Sequence, residues 1–179
     1  MTEPAGDVPI SSPPPTADER DGESYDQTGQ HTIELPELTP SSRQDRFDLV
    51  IVGCGPAGLS AADRASSKGL RVALIDPTPL KRWQNNYGVW VDEFEDLGLT
   101  DCFNKVWPKA KVVIDDARPD GIDLNRPYGQ VNRIALKDKF LARCVAQGVV
   151  FGACAVEGVA HEGDGSVVTL KGGADGKFA

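Results

Sequence analysis

Gly53-Cys54-Gly55-Pro56-Ala57-Gly58 forms a G-x-G-x-x-G hexapeptide. Glycines at this spacing suit a dinucleotide. The first permits a tight turn, the second lets the backbone approach a pyrophosphate, and the third lets a helix pack closely on a strand. A helix starting there offers unpaired N–H groups and the positive end of its dipole to phosphates. Asp76 lies 18 residues after Gly58, near the spacing expected of an acid that accepts hydrogen bonds from ribose hydroxyls. It would repel a 2′-phosphate, which disfavours NADP here, but the glycines do not separate FAD from NAD. Without a ligand, the hexapeptide is a glycine-rich turn and Asp76 an acid closing a strand before Pro77.

Two further clusters could do chemistry. Asn85-Asn86-Tyr87-Gly88-Val89-Trp90-Val91-Asp92-Glu93-Phe94 mixes amides, aromatics and acids. It suits the lining of an apolar or flat ligand, or equally an aromatic anchor holding a loop on the core. Asn125-Arg126-Pro127-Tyr128-Gly129-Gln130-Val131-Asn132-Arg133 precedes a helical pattern. A cation at a helix start opposes the dipole unless an anion is bound nearby, so Arg133 points to a phosphate or acid partner, or is a solvated side chain.

The elements that must position these residues follow from the hydrophobic pattern. Phe47 to Gly53 is a short β-branched block and reads as a buried parallel strand. Leu59 to Ala65 is a good helix sequence, and Gly69 stands where that helix should end. Arg71 to Asp76 is a second strand, stopped by Pro77. Together they make a βαβ unit with a right-handed crossover. Lys111 to Asp115 is expected to be a strand. Ala135 to Gln147 is a helix with Leu136, Phe140, Leu141, Cys144 and Val145 along one face, closed by Gly148. Val149 to Phe151 is a short strand. Ala155 to His161 and Val167 to Lys171 form a hairpin turned by Gly163-Asp164-Gly165. The expected fold class is α/β, a Rossmann-like dinucleotide-binding fold with a βαβ start and a C-terminal β-hairpin.

Charge and composition narrow the function classes. Residues 1–46 hold 10 acids and 3 bases, whereas residues 47–179 hold 17 acids and 16 bases. The excess of acid therefore sits in the leader, and no basic face exists for nucleic acid or a polybasic membrane clamp. No apolar run approaches the ~18 residues of a membrane span, although a peripheral patch stays open. Residues 1–46 carry seven of the 13 prolines and are expected to be a disordered leader. Ten acids are unlike a transit peptide, and no apolar segment after Met1 resembles a secretory signal. Cys54, Cys102, Cys144 and Cys154 lack C-x-x-C spacing, so free thiols are expected and no metal site.

Val52 to Leu59, Ile75-Asp76-Pro77, Asn85 to Glu95 and Leu124 to Gly129 together resemble the plant and algal lycopene cyclases. The Asn-Asn-Tyr-Gly-Val-Trp block is highly specific to that family. The Ile75-Asp76-Pro77, Val91-Asp92-Glu93-Phe94 and Asn125-Arg126-Pro127-Tyr128 versions resemble the β type, and Cys54 resembles the ε type. Capsanthin and neoxanthin synthases share the pattern.

The resemblance covers residues 47 to about 171. It implies an FAD/NAD(P)-binding flavoprotein fold, with residues 47–179 as its N-terminal part and the substrate half missing. Gly53, Cys54, Gly55, Pro56, Ala57, Gly58, Asp76, Gln130 and Arg133 are then the cofactor-binding candidates. Tyr128-Gly129-Gln130 matches a segment that approaches flavin in related flavoproteins, at a point where most plant cyclases carry Arg in place of Gln130. The implied reaction converts lycopene to β-carotene by acid–base ring closure without net redox change. Reduced FAD is the implied cofactor and NAD(P)H the source of reducing equivalents. The implied setting is the chloroplast, with peripheral membrane association and other carotenoid enzymes as partners. The family's acidic catalytic motif has no counterpart here, so no catalytic residue is assigned. A lycopene ε-cyclase or a capsanthin or neoxanthin synthase, a flavin-dependent monooxygenase or reductase, and an inactive dinucleotide-binding fragment are the alternatives.

Overall fold

The computed structural model describes residues 31–39, 46–114, 119–171 and 177–178. Most of the expected leader, and Asp115 at the end of one expected strand, lie outside the described residues. The described chain divides into two compact units, one of Gly88–Val131 and the other of the residues up to Tyr87 and from Asn132 on.

The larger unit is built on three parallel strands. They are β1 (Leu49–Val52), β2 (Val72–Ile75) and β8 (Val150–Gly152), ordered β1-β2-β8. All four residues of β2 are buried, as a central parallel strand requires. Helix α1 (Pro56–Ser66) joins β1 to β2, giving the expected βαβ unit. Helix α3 (Arg133–Ala146) leads into β8 and packs on α1. Leu59 and Ala62 of α1 and Leu141 and Cys144 of α3 are fully buried. Ser66 and Gln147 are hydrogen-bonded, and Arg143 bonds Asp63 at 3.4 Å.

Helix α3 starts two residues before the expected Ala135. The reason is Asn132, whose side chain accepts from the Ile134 and Ala135 amides at 3.2 and 3.1 Å. That satisfies two of the amides a helix start leaves unpaired. Asn132→Ala is expected to cost about 1 kcal/mol and to lower the melting temperature by about 2–4 °C, read by circular dichroism.

The expected hairpin is present as β9 (Val156–Glu162) and β10 (Gly165–Leu170), with β11 (Lys177–Phe178) on the far side of β10. Gly163 turns it at φ 61°. Val168 and Leu170 cover Ile75 at the heart of a cluster that also takes in Leu38, Val50, Cys154 and Val156.

Leu38 belongs to a stretch read from sequence as leader. Pro36 to Leu38 instead run beside β8, Glu37 forming a parallel bridge with Phe151. The Leu38 amide donates to the Phe151 carbonyl at 2.9 Å, and the Phe151 amide donates to the Pro36 carbonyl at 2.8 Å. His31 is buried against Asp138 of α3. The edge of β8 offers Pro36 and Leu38 backbone partners that a local reading cannot anticipate.

The smaller unit holds the sheet β3-β7-β4, from β3 (Gly88–Trp90), β4 (Phe103–Trp107) and β7 (Tyr128–Val131). It also holds helix α2 (Val91–Asp96) and the pair β5 (Ala110–Val112) and β6 (Ile122–Leu124). The strand expected over Lys111–Asp115 is shorter: Val113 and Ile114 lie beyond β5 and are exposed. No described helix is long and apolar enough to cross a membrane.

Candidate functional site

The hexapeptide sits where β1 ends and α1 begins. Gly53 adopts φ 104°, a left-handed value that favours glycine, and its amide donates to the Ile75 carbonyl at 2.8 Å. At Gly58, a Cβ would land on the Gly53 carbonyl oxygen. At Gly55, a Cβ would meet nothing within 4 Å, so the backbone there is open to close approach. Pro56 occupies the first turn of α1, the N-cap Gly55 supplies no side-chain cap, and no acid lies in that turn. Pro56 has no N–H to leave unsatisfied, and Ala57 adds no bulk where the helix begins.

Asp76 closes β2 and faces the turn. One carboxylate oxygen accepts from the Cys54 amide at 2.8 Å, and the other accepts from the Thr78 amide at 2.7 Å. A carboxylate has about four lone-pair sites, so acceptor capacity remains for a ligand. The Cys54 carbonyl accepts from the Trp83 indole N–H at 2.8 Å. Both backbone polar groups of Cys54 are therefore fixed. Burial, helped by the Asp76 charge, pushes its thiol up to about 12, so Cys54 is neutral and inert near neutral pH.

Brief alkylation of the folded chain at pH 8 is expected to label Cys154, which is partly exposed, before the buried Cys54 and Cys144. Peptide mapping by mass spectrometry reads the order. Early labelling of Cys54 would contradict this account of the turn.

Beside the turn lies a cleft of about 360 Å³, lined among others by Gly55, Asp76, Lys81, Arg82, Trp83 and Lys137. Arg133 holds part of its wall in place. It donates to the Gln84 carbonyl at 3.2 Å and to Asn86 Oδ1 at 2.8 Å. The sequence pointed to an anion at Arg133; the structure supplies two neutral oxygens on one loop. Trp83 and Lys137 were not singled out from sequence. The signal for Lys137 was a lysine between Leu136 and Phe140 on the apolar face of α3, where it is only 1% exposed.

Gln130 lies in the smaller unit, in the central strand β7, opposite Gly88 on β3 and Lys105 on β4. The aromatic cluster is divided between the units. Tyr87 meets the Trp83 ring edge-on at 5.9 Å in one, and Trp90 meets Tyr128 edge-on at 5.1 Å in the other. Arg126 lies 4.7 Å over Trp90, clasps Asp92 through two nitrogens at 2.8–3.0 Å, and reaches Glu93 at 2.9 Å. Hydrogen bonding to Arg126 holds the Asp92 carboxyl below its ordinary range. Within this unit Trp90, Asp92 and Arg126 act as the anchor of a loop. Among the described residues no group of His, Cys, Asp or Glu could hold a metal ion.

A left-handed glycine between β1 and α1, an open uncapped helix start and an acid closing β2 define a dinucleotide-binding βαβ unit. The arrangement fits the adenosine diphosphate half of a dinucleotide: backbone can come close at Gly55, and no acidic side chain stands at the helix start. Solved structures share the architecture. A flavin-dependent brominase, Bmp2, superimposes with a TM-score of 0.53 at 23% identity, covering 74% of this chain and 35% of that one. A geranylgeranyl bacteriochlorophyll reductase-like protein from Thermoplasma acidophilum gives 0.55 at 16% identity, covering 69% and 34%. The fold is the Rossmann-like flavoprotein fold.

The chain belongs to the lycopene cyclase family, whose model, "Lycopene cyclase protein", matches residues 48–177. It is 49% identical to a capsanthin/capsorubin synthase of Citrus sinensis over 131 residues, covering 73% of this chain and 25% of the relative. It is 48% identical to a lycopene beta cyclase of Arabidopsis thaliana over 141 residues, covering 79% and 28%. A neoxanthin synthase of Solanum lycopersicum is 46% identical over 130 residues, covering 73% and 26%. The chain spans about a quarter of the length of these relatives.

Proposed function

We propose that this chain is the dinucleotide-binding portion of a lycopene β-cyclase that works with FAD. The observation that supports the reading most directly is 48% identity to a lycopene beta cyclase across a segment that includes a geometrically sound glycine turn. In this reading residues 47–179 are the N-terminal part of the cofactor domain. The turn from Gly53 to Gly58 receives the diphosphate, and Asp76 receives the ribose. Arg133 keeps the 84–86 loop in position through its two bonds. Gln130 serves the flavin side. When bound, reduced flavin would supply electron density able to stabilise the positive charge of ring closure, with NAD(P)H as the source of electrons. The acid that protonates the lycopene end group is not assigned to any residue of this chain. The product is β-carotene and the reaction an isomerisation. The names of the chloroplastic relatives support a plastid setting, where lycopene is the partner.

Expression of the complete open reading frame that contains this chain in lycopene-accumulating bacteria tests the reading. β-Carotene in the pigment extract is the expected result; lycopene persisting beside soluble, flavin-loaded protein overturns it. A second reading is favoured by the capsanthin/capsorubin and neoxanthin synthases at nearly the same identity. Formation of capsanthin, capsorubin or neoxanthin with no β-carotene would select it.

A further inference from the structure

We infer that Lys137 is a phosphate-recognising residue of the cleft, its ammonium adding to the α1 N-terminus a buried cation for the diphosphate of the bound dinucleotide. The inference rests on the dinucleotide reading above and assigns a residue that the glycine motif does not contain.

Lys137 is 1% exposed, on a face of α3 otherwise given to Ile134, Leu141 and Cys144. Lysine is almost never this buried unless paired. Its ammonium has three donors. One reaches the Lys81 carbonyl, and the ammonium lies 5.5 Å over the Trp83 ring. Trp83 in turn holds the Cys54 carbonyl at the glycine turn. Neither contact is a carboxylate, and a carbonyl with a ring face does not use the remaining donors. Burial pulls the lysine down from its ordinary value, while the nearby acids Asp76 and Asp138 pull it back. A Met at this position would fill the same space without that cost.

The surroundings favour an anion as the missing partner. Lys81 and Lys137 line the cleft beside the carboxylate Asp76. A dinucleotide's diphosphate carries one negative charge on each phosphate. The uncapped start of α1 lies in the same cleft at Gly55 and Pro56, and its dipole favours the same ligand. A buried donor that is already fixed in place is worth more to a ligand than one in solvent.

The test uses the full chain and three probes: FAD, ADP and adenosine, the last lacking phosphate. Lys137→Met is expected to raise the Kd for FAD and for ADP by roughly tenfold to a hundredfold, the worth of a hydrogen bond to a charged partner. Adenosine should bind as before, and Lys137→Arg should keep ADP within about threefold of the unaltered chain. In the unaltered chain, the Lys137 side-chain ammonium resonance should shift with ADP and stay in place with adenosine. ADP affinity unchanged in Lys137→Met, or a resonance indifferent to ADP, overturns the inference. So does equal loss of ADP and adenosine with a lowered melting temperature, which would make Lys137 a residue of the fold alone. An unaltered chain that binds neither FAD nor ADP overturns the dinucleotide reading itself.

Discussion

Gly58→Ala is expected to abolish measurable dinucleotide binding and to lower the melting temperature by several degrees. The added Cβ would fall on the Gly53 carbonyl oxygen and come within 3.2 Å of its carbon. The obstacle is backbone, with no side chain that can swing aside. Either α1 moves away from β1 or the turn opens. Overpacking of this kind costs about 1–3 kcal/mol, or about 2–12 °C for a chain of this size. Gly53 also holds the turn to β2 through the Ile75 carbonyl, so displacement there loosens the seat of the phosphates. Differential scanning fluorimetry and an ADP titration read the two effects. Wild-type ADP affinity in a stable Gly58→Ala chain would mean that the turn does not hold the ligand.

Asp76→Asn is expected to damage the same site from the other side. The two carboxylate oxygens serve two different amides, those of Cys54 and Thr78. An Asn side chain offers one oxygen and one NH2 group, so one amide would face a donor. A hydrogen bond to a charged acceptor is worth about 1.5–3 kcal/mol. The ribose loses its charged acceptor as well, so ADP affinity should fall by about tenfold or more. Asp76→Glu is the informative partner: it keeps the charge but moves it by a methylene, and should restore part of the affinity. Isothermal titration with ADP separates the variants. If Asn and Glu behave alike, the charge at position 76 is irrelevant to the ligand.

Much of this site could be read directly. The glycine spacing, the β-branched strands around it and the distance to Asp76 are local properties, and the structure has β1, α1 and β2 where these placed them. The face of α3 and the hairpin of β9 and β10 were legible for the same reason: a period of 3.6 or 2 needs only a few neighbouring residues to declare itself. Boundaries moved where a side chain intervened, as Asn132 does at the start of α3. Glycines in the family blocks gained a reason only in three dimensions: a Cβ at Gly88 would strike the Tyr128 ring, and one at Gly129 the Phe103 ring.

The sequence alone thus determined the class of the fold, the dinucleotide motif and the family, because each depends on residue types at short fixed spacing. The tertiary structure decided three other matters. It placed Pro36 to Leu38 beside β8, although the stretch reads as leader, because the backbone at Pro36 and Leu38 finds partners on Phe151, more than a hundred residues away. It gave Arg133 a carbonyl and an amide oxygen where the helix dipole alone asked for an anion. It also brought Lys137 of α3 to one cleft with Asp76 and Trp83, more than fifty residues earlier in the chain. Those pairings are long-range, and their free energy comes from burial and from hydrogen bonds that exist only once β1, β2 and α3 have packed. No window along the chain contains them.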